Sequence, residues 1–279
     1  MGGLNGRNSF HSKIIDRYQA LGRVKDTGNY ILVMRMGDNM SRNFIIFGAS
    51  QGLGDAFVKG LPVKGDTVWM VARTRPNSLE LNDGVNRHWL SIDLSSQQQI
   101  STLKEVLQGI PLDVLIYNVG VWEKHGFEDN YTFDKDEVED ISKLININLT
   151  STITYIQALL PNLRQAKQGK VILIGSTAGL DHTNNAQVSF VTSKFGVRGI
   201  TNALREHLRK DKISVTCINP GELAAEVPYE EGAEKAIHLY EGTRIPVQDI
   251  VSLVQCVINL SAVSCVKEIN VPAITDLNA

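Results

Sequence analysis

The feature that most restricts the fold of this chain is a series of short apolar runs, separated by longer segments with helical periodicity. Each run is apolar on both faces, which is typical of strands in a parallel sheet covered by helices. Strands and helices in alternation, joined by right-handed crossovers, predict an α/β fold with a doubly wound parallel sheet. The runs are NFIIFG (43–48), TVWMVA (67–72), HWLSI (88–92), DVLIYN (113–118), KVILIG (170–175), SVTCIN (214–219) and EINV (268–271).

The segments between the runs predict the helices. One helix begins at about Gly52, a second lies in SSQQQISTLKEVLQGI, and a long one covers about residues 134–165. Two more are expected in SFVTSKFGVRGITNALREHLRK and PVQDIVSLVQCVINLS, since apolar residues recur there at helical spacing. No repeat, low-complexity tract or linker interrupts residues 40–279, so we expect them to form one domain.

Composition excludes several classes of function. The chain has 279 residues, 43% of them hydrophobic, and a net charge of -2. This charge gives no electrostatic reason to expect nucleic acid or an anionic membrane as a partner, and no apolar run is long enough to predict a membrane span. Cys217, Cys256 and Cys265 are scattered without a CxxC pair, which indicates buried thiols in a reducing cytosol and no metal site. The expected location is therefore cytoplasmic.

Residues 1–39 stand apart from this pattern. They have no sustained hydrophobic period and form a predicted N-terminal extension outside the domain. A targeting peptide is one interpretation, which the interspersed acidic residues and the scarcity of serine disfavour. We favour the hypothesis that translation normally begins at Met40 and that the extension is not part of the native protein.

The first apolar run leads into FGASQGLGDAF, where glycines fall at the turn from strand to helix. Glycine permits a positive φ and lets the backbone approach a ligand closely. The helix that follows offers unpaired N–H groups and its positive dipole end to a pyrophosphate. A turn that merely requires glycines is the structural alternative. The residues of this predicted cofactor-binding loop are Gly48, Ser50, Gln51, Gly52, Leu53 and Gly54.

The end of the second run bears on which nicotinamide cofactor is bound. An acidic residue about 20 positions after the glycines would bind a ribose 2′-hydroxyl. The chain has Ala72 and Arg73 at this place. A guanidinium in place of a carboxylate favours a 2′-phosphate, and hence NADP(H) over NAD(H). The alternative is an arginine that is simply solvated at a strand end.

Seven motifs in order resemble those of the short-chain dehydrogenase/reductase family, and the resemblance covers residues 41–272. It implies a single-domain Rossmann fold. Taken together the motifs are highly specific, although each alone would be weak. They are GASQGLG for TGxxxGxG, IDLSS with Asp93, YNVG for NNAG, NINLTST with Asn148, VILIGSTAG with Ser176, SFVTSK for YxxxK, and INPGE for the PG motif after the sixth strand.

The resemblance implies further cofactor contacts. Asp93 and Leu94 would border the adenine, and Pro220 and Gly221 would lie near the nicotinamide. Asn118, Val119 and Gly120 would pass beside the cofactor. The family also suggests a homodimer or homotetramer that assembles through the long helices starting near residues 134 and 189.

The resemblance also implies catalytic roles. Hydride transfer to a carbonyl leaves charge on the oxygen, where a proton must then arrive. By analogy with the family, Ser176 would polarise the carbonyl, Lys194 would hold the nicotinamide ribose, and Asn148 would order a chain of water molecules. The alternatives are a strand-end hydroxyl that bonds to its own backbone for Ser176, a surface lysine for Lys194, and a helix-interior asparagine for Asn148.

The sequence departs from the family at two positions. Phe190 stands where YxxxK has the tyrosine that supplies the proton, and Ala225 stands where a threonine often binds the nicotinamide carboxamide. General acid catalysis contributes about 10²–10⁴-fold, so we expect impaired or altered carbonyl reduction. His182 or Tyr229 could deliver the proton instead, directly or through water. An engineered replacement of the tyrosine would also explain Phe190.

These observations predict an NADP(H)-dependent oxidoreductase that acts on a small-molecule carbonyl or alcohol substrate. The alternative is a catalytically inactive NADP(H)-binding protein that regulates a partner, because fold and cofactor site do not by themselves establish chemistry. An acidic segment after Gly221 forms the expected substrate lid and weakly disfavours a strongly anionic substrate. Trp122 could line the pocket or equally cap the sheet.

Overall fold

Seven strands form one parallel sheet in the order β3-β2-β1-β4-β5-β6-β7. The structure is a computed structural model that describes residues 41–96, 98–181 and 185–276. The predicted extension 1–39 and His182 lie outside the described residues. All seven predicted runs form strands, which confirms the α/β class and the doubly wound parallel sheet. The strands are β1 (Asn43–Phe47), β2 (Thr67–Ala72), β3 (Asn86–Ser91), β4 (Val114–Tyr117), β5 (Lys170–Ile174), β6 (Ser214–Pro220) and β7 (Glu268–Val271).

Seven α-helices cover the two faces of this sheet in the described ranges. The long helix predicted for about 134–165 is interrupted by a π-helical segment, Asn146–Thr150, a feature that is frequent at functional sites. The helices are α1 (Gly52–Gly60), α2 (Gln99–Val106), α3 (Val138–Ile145), α4 (Ser151–Gln165), α5 (Val188–Leu208), α6 (Ala233–Leu239) and α7 (Val247–Asn259).

The two faces of the sheet carry separate hydrophobic cores. Alternate residues of β1 point in opposite directions, so Phe44 and Ile46 join the core beneath α1 and α7, whereas Ile45 and Phe47 join the core beneath α4 and α5. This is why the central strands are apolar on both faces.

The strand order reverses direction between β1 and β4, which are neighbours although they are not consecutive. Since all strands are parallel, the carboxyl ends of β1, β4, β5 and β6 meet at one edge of the sheet. Ligands of open α/β sheets bind in the crevice outside these ends, at the point of reversal. The predicted site residues follow those strand ends.

Candidate active site

The glycine turn after β1 has no room for side chains at two of its glycines. Gly48 has φ +75°, and a Cβ there would lie 2.5 Å from the Asn118 carbonyl oxygen. A Cβ on Gly54 would lie 1.9 Å from the Gly48 carbonyl oxygen. Helix α1 begins at Gly52, and the side chain of Gln51 makes no capping hydrogen bond within the described part of the chain. The first N–H groups of α1 therefore face a cradle suited to a pyrophosphate.

The remaining residues of this loop differ in what they can offer a ligand. Ser50 is half-buried and Gln51 is exposed, while the Leu53 side chain is 5% exposed and packs in the core. Leu53 can therefore contribute only backbone groups. The Cβ of Ala225, from the segment after β6, lies 3.4 Å from where a Cβ on Gly52 would be. Ala225, the position predicted for the threonine that binds the nicotinamide carboxamide, thus faces the glycine turn with a methyl group.

The adenine end of the predicted site contains an exposed arginine, Arg73. Arg73 is exposed at the end of β2 and makes no ion pair or hydrogen bond with any residue that the structure describes, whereas Arg75 is paired with Glu80. Asp93 accepts two hydrogen bonds from Ser95, from its N–H at 3.0 Å and its hydroxyl at 2.8 Å. These bonds, together with the charge of Arg73, lower the pKa of Asp93. Leu94 is buried, so its side chain belongs to the core.

The segment after β4 connects the cofactor cradle to α5. Asn118 donates its N–H to the Phe47 carbonyl at 3.2 Å, and Val119 packs against the core. A Cβ on Gly120 would lie 3.1 Å from Lys194 Nζ, so Gly120 lets this loop pass close to the lysine. On the other side, Gly221 is held beside β7 by its N–H bond to Val271.

Lys194 is buried, which rules out the surface lysine. Its side chain lies in α5 with 6% exposure, and Nζ donates to the carbonyl oxygens of Gly175 at 3.1 Å and Ile174 at 3.4 Å. Burial lowers its pKa from 10.5 to about 8. Nζ also lies 5.4 Å from the centroid of the Phe190 ring, within the range of a cation–π contact. The two residues share one face of α5, as their spacing of four predicts.

Ser176 lies two residues after the end of β5 and caps a short 3₁₀ turn. Its Oγ accepts a hydrogen bond from the Ala178 N–H at 3.1 Å, which is the backbone contact expected of a strand-end hydroxyl. This contact uses a lone pair and leaves the hydroxyl hydrogen for another acceptor. The turn packs tightly on α5, since a Cβ on Gly179 would lie 2.7 Å from the Lys194 backbone. Ser176 and Lys194 are therefore held in adjoining segments.

Asn148 lies in the π-helical segment and joins three parts of the site. Its Oδ1 accepts from the Val121 N–H at 2.8 Å, and its Nδ2 donates to the Val121 carbonyl at 2.7 Å and to Ser193 Oγ at 2.9 Å. Ser193 in turn donates to the Phe190 carbonyl at 2.7 Å. Both amide hydrogens of Asn148 are thus used within the protein, so its side chain has no donor left for the predicted water chain.

Comparison with known proteins identifies the family. Residues 42–236 match the family model described as short chain dehydrogenase. The chain belongs to this family. Over 187 residues it is 30% identical to the very-long-chain 3-oxoacyl-CoA reductase of Kluyveromyces lactis, an alignment that covers 62% of this chain and 53% of that protein. The chain therefore spans about half the length of this relative.

Two solved structures share the fold. The 3-oxoacyl-[acyl-carrier protein] reductase from Brucella melitensis in complex with NAD has a TM-score of 0.68 at 18% identity, covering 84% of this chain and 96% of that chain. An alcohol dehydrogenase from the archaeon Thermococcus sibiricus, complexed with 5-hydroxy-NADP, also has a TM-score of 0.68 at 18% identity, covering 84% and 97%. At these identities the two likenesses establish the fold alone.

In this short chain dehydrogenase family member, the Tyr229 hydroxyl lies at the end of α1 opposite to the glycine turn. A Cβ on Gly60 would be 2.7 Å from the Tyr229 hydroxyl, which places that hydroxyl at the C-terminal end of α1. At 1.5 Å per residue, this end is about 12 Å from the start of α1 at Gly52, where the cofactor cradle begins. This placement gives no support to the hypothesis that Tyr229 delivers the proton, which stays a prediction.

Trp122 does not cap the sheet. Its side chain is 52% exposed and meets Phe127 edge to face, with ring centroids 5.3 Å apart. Phe127 is itself 73% exposed. Two aromatic side chains in contact thus stand in solvent on the loop that follows the YNVG motif.

Two residues of this region were not found from the sequence. Glu123 is 5% exposed, and its Oε1 accepts the Phe190 N–H at 2.8 Å. Ser193 connects Asn148 to Phe190, as described above. Glu123 stands in an irregular loop 67 residues from Phe190, so no local pattern indicated the contact. For Ser193, the only indication in the sequence was that it directly precedes Lys194.

The described ranges contain neither a candidate membrane span nor a candidate metal centre. No helix there is long and apolar enough to cross a membrane. No group of three or more His, Cys, Asp or Glu side chains in those ranges could hold a metal ion.

Proposed function

We propose that this protein is an NADP(H)-dependent oxidoreductase that reduces a ketone or aldehyde, with Lys194 as the proton donor in place of the missing tyrosine. The observation that carries the proposal is the burial of the Lys194 ammonium between the end of β5 and Gly120, beside Ser176. The glycine turn and Gly120 form a cradle that side chains would fill, which fits a dinucleotide. When bound, this cofactor supplies the hydride.

The protein's own residues have separate tasks in this proposal. The Ser176 hydroxyl, which accepts from Ala178, donates its hydrogen to the substrate carbonyl oxygen. Two N–H bonds of Lys194 point to the Ile174 and Gly175 carbonyls, and the third is left for the ligand. Lys194 gives a proton to the oxygen as the new C–H bond forms, directly or through one water, and solvent then restores the ammonium. A pKa of about 8 suits such a donor near neutral pH.

Arg73 supports NADP(H) over NAD(H). Its guanidinium is exposed at the end of β2 and forms no salt bridge or hydrogen bond with the residues described, apart from a longer-range charge interaction with Asp93, so it is available to a 2′-phosphate. The two solved structures compared above bind an NADP analogue in one case and NAD in the other, so they do not decide the question.

Assembly and location remain predictions. Val138, Ile153 and Phe195 on α3, α4 and α5 are 69%, 51% and 40% exposed, and such apolar exposure supports a homodimer or homotetramer through these helices. A cytoplasmic location stays a prediction from the scattered cysteines. The expectation that their thiols are buried is right for Cys217 and wrong for Cys256 and Cys265, which are exposed.

A catalytically inactive NADP(H)-binding protein is the second candidate. It is favoured by Phe190, which keeps the ring of the family's tyrosine and lacks its titratable oxygen. In this case the cofactor cradle would serve ligand sensing, and substrate would not be turned over.

Fluorescence titration with NADPH and NADH, followed by assays on a panel of ketones and aldehydes, tests both candidates. We expect tighter binding of NADPH, and turnover that Ser176→Ala lowers about 10²-fold or more. Lys194→Arg keeps the positive charge but cannot release a proton, so it should bind NADPH and lose turnover. Ser252→Ala, on the exposed side of α7, is the matched control. NADPH binding without any wild-type turnover would favour the inactive protein, and absence of binding would contradict both candidates.

A further inference from the structure

Arg198 on helix α5 connects strand β7 to the segment that follows β5. Its Nη1 donates to the Gly179 carbonyl at 2.9 Å. Its Nε and Nη2 donate to the two carboxylate oxygens of Glu268 on β7, at 2.6 Å and 3.3 Å. One planar guanidinium therefore joins the edge of the sheet to the turn that ends at Gly179, a geometry that the single ammonium of a lysine does not reproduce.

The turn that Arg198 holds is the turn that Ser176 caps. It covers Thr177–Gly179, and the Gly179 N–H donates to the Ser176 carbonyl at 2.9 Å. The Ala178 N–H donates to Ser176 Oγ, as described above. Ser176 is thus bonded through both its backbone and its side chain to a turn whose last residue is fixed by Arg198.

Glu268 is itself held from two sides. The hydrogen bond from Arg198 lowers the pKa of this carboxyl, so it carries its charge at neutral pH. Its Oε1 also accepts from Asn219 Nδ2 at 2.7 Å, and Asn219 is fully buried on β6. Asn219 Nδ2 donates in addition to Asn270 Oδ1 at 2.8 Å. The carboxylate is therefore a fixed anchor for the guanidinium.

An ordinary ion pair between a helix and a strand is the structural alternative. The side chains of Arg198 and Glu268 are 29% and 33% exposed, and an isolated ion pair near the surface contributes little to stability. The contact with Glu268 uses one edge of the guanidinium for two bonds, however, and this orientation directs Nη1 to Gly179. The bond to Gly179 gives Arg198 a connection to the candidate active site that a plain ion pair lacks.

Resting on the proposed function, we propose that Arg198 is a positioning residue, which holds the Ser176 turn so that the Ser176 hydroxyl meets the substrate carbonyl oxygen. Arg198 does not touch the substrate in this proposal, because it acts on Ser176 through the carbonyl of Gly179. Without the guanidinium the turn loses its attachment to β7, and the hydroxyl spends less time in the productive position. A misplacement of about 1 Å can lower a rate by about 100-fold.

Arg198→Ala removes the guanidinium, and Arg205→Ala is the matched control. Arg205 lies on the same helix, and both arginines line one small cavity together with Lys267. Arg205 also donates to backbone carbonyls, those of Val215 at 3.0 Å and Lys267 at 2.8 Å, neither of which belongs to the Ser176 turn. The two substitutions therefore remove the same charge and similar contacts, but only Arg198→Ala releases the turn.

We expect Arg198→Ala to lower kcat for ketone reduction about 10- to 100-fold, while KM and the Kd for NADPH stay within about twofold of wild type. Arg205→Ala should keep the wild-type kcat. Arg198 is partly exposed, so the space that it leaves is open to solvent. Added guanidinium at millimolar concentration should therefore restore kcat of Arg198→Ala, whereas sodium chloride or urea at the same concentration should not.

The rescue separates positioning from a general loss of packing, and guanidinium should not restore the rate of Ser176→Ala. The proposal is overturned if Arg198→Ala keeps its kcat, if both arginine variants lose it equally, or if guanidinium leaves the lowered rate of Arg198→Ala unchanged.

Failure of the proposed function gives a different result. If wild type turns over no substrate, amide hydrogen exchange measured by NMR still tests the attachment of the turn. Arg198→Ala should speed exchange of the Ala178 and Gly179 N–H groups about fivefold or more, the effect of losing one hydrogen bond, and Arg205→Ala should not. Equal exchange rates in wild type and Arg198→Ala overturn the proposal. Urea unfolding of each variant verifies that the fold is intact.

Discussion

Replacing Lys194 with methionine tests how strongly the fold disfavours the buried ammonium. Burial lowers the pKa of Lys194 from 10.5 to about 8. At about 1.36 kcal/mol for each tenfold change in the proton equilibrium, the charged form is about 3 kcal/mol less favourable in the folded state than in the unfolded chain. Methionine removes this penalty but leaves the Ile174 and Gly175 carbonyls without their donor, which costs about 1–3 kcal/mol for each carbonyl. The two effects are of similar size, so we expect the free energy of unfolding of the variant to lie within about 3 kcal/mol of the wild-type value at neutral pH.

The pH dependence separates the charge from the packing. Lys194 is a base whose folded pKa is lowered, so between about pH 8 and pH 10.5 the unfolded chain binds more protons than the folded one. The wild-type free energy of unfolding therefore gains a contribution that rises through this window and is constant below it. The methionine variant lacks that titration. The difference in free energy of unfolding, wild type minus variant, should therefore rise by about 3 kcal/mol from neutral pH to about pH 10.5.

Urea unfolding of both proteins across this range measures the difference, in which the titration of all other groups cancels. The matched control is Lys143→Met, since Lys143 is exposed on α3. A difference between wild type and Lys194→Met that stays constant from neutral pH to about pH 10.5 would refute the reasoning.

Three further predictions concern the site. Phe190→Tyr adds a hydroxyl to the ring that lies 5.4 Å from Lys194 Nζ, and should raise kcat/KM for ketone reduction by about 10²–10⁴-fold; an unchanged rate in steady-state assays would contradict this. Gly54→Ala places a Cβ 1.9 Å from the Gly48 carbonyl oxygen, so it should abolish NADPH binding in fluorescence titrations and lower the thermal midpoint of unfolding. Gly199→Ala is the control, since a Cβ there meets open space, and it should change neither quantity. Trp122→Ala removes a side chain that is 52% exposed, so thermal stability should stay nearly constant while KM for apolar ketones rises; an unchanged KM would exclude Trp122 from substrate binding.

Several parts of the fold and site could be predicted because their cause is local. The central strands are buried on both faces, so their residues are apolar on both faces. The edge strands β3 and β7 are partly exposed, yet they also form where short apolar runs predicted them. The glycine turn needs glycines at fixed places because Gly48 has a positive φ and Gly54 touches the preceding turn. The spacing of Phe190 and Lys194 places them on one helix face, and the structure brings them into contact.

Other parts were decided by contacts between residues far apart in the chain. The π-helical segment lies where the Asn148 side chain makes hydrogen bonds to both the N–H and the carbonyl of Val121. The helical spacing of apolar residues gives no information about this contact. Tyr229 has a suitable side chain, and only the packing of the lid against α1 shows that its hydroxyl lies at the end of α1 opposite to the glycine turn.

By itself the sequence determined the sheet and the family, and it predicted that Phe190 stands at the position of the family's tyrosine, since these depend on residue type and on spacing along the chain. The tertiary structure decided the burial of Lys194 and the contact between Glu123 and Phe190. Burial changes the pKa of an ammonium, and a hydrogen bond between residues 67 positions apart depends on how the loop meets the helix. Both arise only once distant segments pack together.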